Sequence, residues 1–307
     1  MRSIAFGLVR YAGCATVLLC FSLLSSRVAI CQTLVGGKDF AQRFTDAGFT
    51  EVPSSPLIKV FHKNSSHSQL AVSDRGDLTK PIRLTVYIEG DGAAWRARHF
   101  PPRDPSPENP IAANMALADP NLLVAYMARP CMYLKEEQPK QCSEMLWTDA
   151  RFGKEALELS NQALDSLITK IKSMHLLDFS APLPINLVGY SGGGVMATLL
   201  AAQRSDVACL NTIASPLDIE VWTKLQKVAP LSQSFNPAYP DLRLARTPQM
   251  HWFGAEDRVV PPQALGRYHN WSPSLERNQV IQVLPKFNHR DFWVQEWPAL
   301  RDKSCLN

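Results

Sequence analysis

An α/β class, with a mostly parallel central sheet covered by helices on both faces, is predicted by three observations. Short β-branched, nearly continuous apolar runs alternate with segments of helical period along most of the chain. Strands alternating with helices call for a mostly parallel sheet covered on both faces. At 307 residues and 46% hydrophobic content the chain can bury a large core, and no repeat or low-complexity tract interrupts it.

The first 31 residues are set apart from the rest. Arg2 and Arg10 flank a basic region, and Tyr11 to Leu24 is an almost unbroken apolar run, too short for a comfortable membrane span of ~20 residues. The segment reads as an export signal, with Ala29 and Cys31 at the positions a signal peptidase inspects. The competing reading is a retained or lipidated membrane anchor. Residues 32–307 are expected to form a single domain, exported to the periplasm or beyond. The formal charge is +4, and Arg2, Arg10 and Arg27 belong to the leader. A balance so close to neutral gives no reason to expect a nucleic-acid partner.

After a polar stretch with one strand at Leu57 to His62, a stronger strand runs from Ile82 to Ile88 into Glu89-Gly-Asp-Gly92. A proline-rich loop follows, then a helix from Ile111 to Ala118 and a strand from Leu122 to Met127. Thr148 or Asp149 is expected to cap a long helix ending near Met174, whose apolar face comprises Phe152, Ala156, Leu157, Ala163, Leu164, Leu167 and Ile168. Pro182 and Pro184 lead into a strand at Ile185. A small-residue helix is expected at Gly194 to Gln203 and a strand at Val207 to Ala214. Residues 215–247, rich in proline and serine, read as an excursion over the sheet. Its Trp222, Leu225, Leu231, Phe235 and Tyr239 suit either a lid or pocket wall, or ordinary packing. Strands at Gln249 to Phe253 and Val280 to Leu284 and a helix at Asp291 to Leu300 complete the pattern.

The chemistry converges on Gly189-Tyr190-Ser191-Gly192-Gly193. A strand before and a small-residue helix after this segment form the context in which a sharp turn thrusts a serine hydroxyl outward as a nucleophile. The alternative is a glycine-rich helix start packed on the sheet. A serine hydroxyl needs a base to take its proton and an acid to orient that base. Gly254-Ala-Glu-Asp257 after one late strand and Phe287-Asn288-His289 after the next offer both.

On these residues the chain resembles the α/β-hydrolases, whose order is nucleophile, acid, histidine. The resemblance implies Ser191 as nucleophile, Asp257 as acid and His289 as base, with Glu256 and Asp218 as competing acids. It implies two backbone oxyanion donors, Gly192 and Asp91, with Gly92 and then Gly90 as alternatives to Asp91; here Glu89 stands where the family commonly has His. His251 reads as a core histidine, and His62, His67, His99, His175 and His269 as solvated. Further motifs resemble a group of exported bacterial α/β-hydrolases: Tyr87 to Gly92 with Trp95, Arg129-Pro-Cys131, Cys142, Trp147-Thr148 and Arg151-Phe152. Arg151 is read as solvated or structurally paired, with an acidic substrate group as the alternative.

Four cysteines lie outside the leader, an even number in a chain that reads as exported. Cys131 with Cys142 would close a polar loop. Cys209 with Cys305 is the second pairing, against a buried free Cys209. The spacing gives no zinc site, and no cofactor is called for. The resulting expectation is a serine hydrolase acting on a small-molecule or lipid-like carboxylic ester through an acyl-enzyme. The alternatives are a peptidase or thioesterase with the same residues, and a non-catalytic envelope-associated binding protein.

Overall fold

A computed structural model of the chain describes residues 40–54, 56–66, 82–94, 100–134, 142–239, 243–269 and 278–306. The expected leader, with Cys14, Cys20 and Cys31, lies outside them, as do His67, His99 and Trp95. Among the described residues no helix is long and apolar enough to cross a membrane.

The strands are β1 (Phe49–Glu51), β2 (Val60–Lys63), β3 (Leu84–Ile88), β4 (Val124–Met127), β5 (Ile185–Tyr190), β6 (Val207–Ile213), β7 (Gln249–Gly254) and β8 (Gln279–Leu284). The helices are α1 (Phe40–Asp46), α2 (Ile111–Ala118), α3 (Lys154–Met174), α4 (Gly192–Gln203), α5 (Ile219–Gln226) and α6 (Trp293–Arg301). One sheet runs in the order β1-β2-β4-β3-β5-β6-β7-β8. Its β1–β2 and β2–β4 pairs are antiparallel and the rest parallel, as the apolar runs predict.

Alternate side chains along each central strand feed two cores. Val86 and Ile88 with Leu187 pack against α3 and α4 on one face, while Tyr87, Val188 and Tyr190 pack against α1, α2 and the Trp293 and Trp297 side chains of α6 on the other. On the second face Trp297 Nε1 donates to Tyr87 Oη (2.8 Å), and Tyr87 Oη donates to Asp119 Oδ2 (2.6 Å), so a polar chain crosses the apolar layer fully satisfied. Both disulfides form: Cys131–Cys142 closes the polar loop, and Cys209–Cys305 ties the segment after α6 to β6.

The chain passes from β3 outward to β4 and then returns to place β5 on the other side of β3. The crevice beyond the carboxyl ends of β3 and β5 is therefore the topological switch point, where open α/β sheets place their ligands.

Several expectations need correction; the strands expected from Leu57 and Leu122 start at Val60 and Val124, and the helix expected from Gly194 starts at Gly192. The long helix starts at Lys154 with Gly153 as its N-cap, because residues 147–153 run in turns: Thr148 Oγ1 donates back to Glu144 O (2.7 Å) and Asp149 Oδ2 accepts from Ser232 Oγ (2.8 Å), several residues short of the helix start. The strand expected from Ile82 starts at Leu84, the residue in register with Ile185 where β5 begins. His62 and His175 are fully buried. His62 Nδ1 bonds to Lys63 O, and burial lowers its pKa; His175 Nε2 lies 3.4 Å from Ser65 Oγ. His269 is exposed, as expected.

Candidate active site

Ser191 stands between β5 and α4 with φ 51° and ψ −123°, a conformation that L-residues rarely adopt. It is held there by its N–H, which donates to Ile213 O on β6 (2.8 Å). A Cβ on Gly189 would lie 2.3 Å from Gly193 O, so strand and helix meet at a distance only glycine allows.

The strands β7 and β8 deliver the other two groups from adjacent loops. Asp257 is buried, and its Oδ1 accepts from Val259 N (2.8 Å) and Val260 N (2.7 Å). Its Oδ2 lies 2.8 Å from His289 Nδ1, and His289 Nε2 lies 3.1 Å from Ser191 Oγ. With Nδ1–H given to the carboxylate, Nε2 is the acceptor for the serine hydroxyl. The imidazole keeps 15% of its surface, whereas the Asp257 carboxylate has none, so acid and base are shielded unequally. The His289 backbone carbonyl accepts from Tyr190 Oη (2.5 Å), and Glu256 N donates to Phe287 O (3.0 Å), clamping the two loops together.

The competing residues are placed elsewhere. Glu256 is exposed. Asp218 caps α5 through Val221 N (3.3 Å) and pairs with Arg267 (2.8 Å); hydrogen bonds from Arg267 and Asn236 outweigh desolvation and bring its carboxyl well below the usual range. His251 is in the core, bonded to Thr212 Oγ1 (2.8 Å) and Gln249 Oε1 (3.2 Å), and burial pushes it down to about 3.

The α/β-hydrolase from a Medee basin deep-sea metagenome, MGS-M1, superposes with a TM-score of 0.51 at 13% identity, over 83% of this chain and 95% of that one. The chain has the α/β-hydrolase fold. Similar structures also include an α/β serine hydrolase without a lid from Xanthomonas campestris (15% identity, 83% of this chain and 89% of that one, TM-score 0.45). Est1E from Butyrivibrio proteoclasticus is another (12% identity, 83% and 96%, TM-score 0.46). No family model matches the sequence, and no curated protein matches it.

Within this α/β-hydrolase fold the loop after β3 lies against the elbow. A Cβ on Gly90 would fall 3.3 Å from the Ser191 Cβ, and one on Gly192 would fall 1.9 Å from Asp91 Oδ1. Gly90 N–H donates to Glu89 Oε1 (3.0 Å). The amides of Asp91 and Gly192 have no hydrogen-bond acceptor among the described residues.

Glu89 has a role that the sequence did not disclose. Fully buried, it accepts from Gly90 N and Ala112 N (3.3 Å) at Oε1 and from Ala113 N (3.2 Å) and Tyr126 Oη (3.3 Å) at Oε2. It caps α2, whose own N-cap, Pro110, offers no side-chain acceptor. Desolvation pushes its carboxyl from 4.5 up to about 7, with the hydrogen bonds opposing. Between those values the folded state binds the extra proton, so stability declines as pH rises from about 4.5 to about 7. Urea unfolding should show the wild type losing up to about 3 kcal/mol over that window relative to Glu89→Gln, which lacks the titration. Parallel pH profiles for the two proteins would refute this.

The sequence also left the partner of Arg151 open. Arg129 Nη1 donates to Asp91 Oδ1 and Arg151 Nη1 to Asp91 Oδ2, both at 2.9 Å. Arg129 Nη2 donates to the Arg151 carbonyl and Arg151 Nε to Thr148 O (2.6 Å). Arg129 also lies over the Phe152 ring, 4.9 Å from its centre. In the excursion Trp222 and Leu231 pack against the core, and Trp222 Nε1 donates to Val259 O (2.8 Å) beside the acid loop. Leu231, Phe235 and Tyr239 line a cavity of about 410 Å³ whose walls include none of Ser191, Asp257 or His289.

Proposed function

We propose that the protein is a serine hydrolase that cleaves a carboxylic ester through an acyl-enzyme. The observation that carries this reading is the continuous hydrogen-bonded line from Ser191 Oγ through His289 to a buried Asp257, lying at the switch point of the sheet. In it His289 takes the proton as Ser191 Oγ attacks the carbonyl carbon, and returns it to the leaving oxygen as the tetrahedral adduct collapses. A water activated by the same imidazole then attacks the acyl carbon and frees Ser191. Asp257 holds the imidazole tautomer and offsets its transient positive charge.

The N–H groups of Gly192 and Asp91 are assigned as the oxyanion donors, since both belong to the segments that meet at Ser191 and neither has an acceptor among the described residues. An ester asks less of the general acid than an amide, because its alkoxide or phenoxide leaves with less help than an amine anion. Two disulfides and the signal-like leader support export to the periplasm or beyond.

A fluorophosphonate probe at neutral pH tests the nucleophile. Labelling confined to Ser191 and absent from Ser191→Ala is expected. No labelling of folded protein would favour the non-catalytic binding protein. Turnover of p-nitrophenyl esters but not of aminoacyl p-nitroanilides is expected to separate the esterase from the peptidase reading.

A further inference from the structure

The residues around the oxyanion loop carry an uncompensated charge. Asp91 is the single carboxylate within 4.0 Å of the Arg129 and Arg151 guanidiniums among the described residues, and it pairs with both. The two arginine side chains are only 4% and 5% exposed, whereas Asp91 keeps 20% of its surface. One net positive charge is therefore held nearly dry, behind a carboxylate that lies on the Cα of Gly192, next to the nucleophile.

Neighbouring acids do not supply the missing counter-charge. Among the described residues Glu89 is surrounded by Gly90, Ala112, Ala113 and Tyr126, Asp257 by His289 and two amides, and the Asp149 carboxylate accepts from Ser232 Oγ. Arg129 feels the imbalance: burial lowers its pKa, Asp91 opposes that and Arg151 adds to it. Arg151 Nη2 has no partner among the described residues, although Nε and Nη1 are both engaged. A buried cation without its own anion is costly, and such an excess is compensated when an anion arrives.

We infer that Arg151, backed by Arg129, forms an anion subsite beside Ser191 that receives a carboxylate carried by the substrate. The preferred substrate is then an ester with a free carboxylate a few bonds from the scissile carbonyl, such as a half ester of a dicarboxylic acid. This rests on the hydrolase reading above. It adds a discrimination that oxyanion stabilisation alone would not give, because every ester forms the oxyanion and only some bring a second anion.

Two matched pairs provide the test. On the acyl side, the 4-nitrophenyl half ester of adipic acid is compared with its methyl-capped diester. On the alcohol side, 4-acetoxybenzoate is compared with 4-acetoxybenzamide. In at least one pair kcat/KM should favour the anionic member ten-fold or more at low salt, chiefly through KM, and Arg151→Met should cut that ratio ten-fold or more. A wild type that turns over both members of each pair equally, or a ratio unmoved in Arg151→Met, overturns the subsite.

Calorimetric binding of free adipate to wild type, with hexanamide as the neutral control, needs neither turnover nor a folded variant. Adipate binding at low salt supports the subsite even where no ester is cleaved, an outcome that would sink the hydrolase reading alone. Absence of adipate binding in a protein that does cleave esters would sink the subsite alone.

Discussion

Ser191→Ala is expected to lower kcat for a p-nitrophenyl ester by roughly 10,000- to 1,000,000-fold while leaving KM within a few-fold of wild type. The hydroxyl supplies the bond-forming oxygen, and among the described residues no other nucleophilic side chain is hydrogen-bonded to His289 Nε2. His289 Nε2 has Ser191 Oγ as its hydrogen-bond partner, so without the hydroxyl the imidazole can at best activate a water. The oxyanion donors would persist and sustain the residual rate. Burst-free kinetics with more than about 1% of wild-type turnover, after active-site titration excludes contamination, would show that another group attacks the substrate.

Asp257→Asn should cost about 10,000-fold in kcat, through geometry rather than through lost packing. Two backbone amides, those of Val259 and Val260, point at Oδ1. An asparagine must keep its oxygen facing them, which turns its NH2 toward His289 Nδ1. The imidazole then has to accept at Nδ1 and carry its proton on Nε2, where it can no longer take the serine proton. A far-UV spectrum and melting curve close to wild type, with turnover collapsed at neutral pH, would match this account. Retention of more than a tenth of the activity would remove Asp257 from the acid's role.

The central strands were legible because burial on both faces requires contiguous apolar residues, a pattern that survives without knowledge of any neighbour. The elbow was legible for a related reason: Gly189, Gly192 and Gly193 mark close approaches that no larger residue permits. What escaped depends on contacts between distant parts of the chain. The start of the long helix was misplaced because Thr148 and Asp149 are good caps locally, and only the fold brings Ser232 to Asp149. His62 and His175 look like surface residues in their polar sequence surroundings, but tertiary packing buries both. The Asp91 pairs span 38 and 60 positions, so neither helical nor strand periodicity could register them. Glu89 escaped because two of its four donors belong to a helix that begins more than twenty residues later, and a third, Tyr126, lies further on still.

The backbone of Ser191 gives the chain a measurable tension between folding and reactivity. A left-handed conformation at a residue with a Cβ costs roughly 1–3 kcal/mol, and glycine would relieve most of it, at some expense through a looser unfolded chain. Ser191→Gly should therefore unfold at a denaturant concentration higher than wild type, by about 1 kcal/mol in stability, and Ser191→Ala should show no such gain. A scaffold that only bound its ligand would be firmer with glycine at this point. Serine here is held uphill of the most stable sequence, and what it returns for that cost is a hydroxyl.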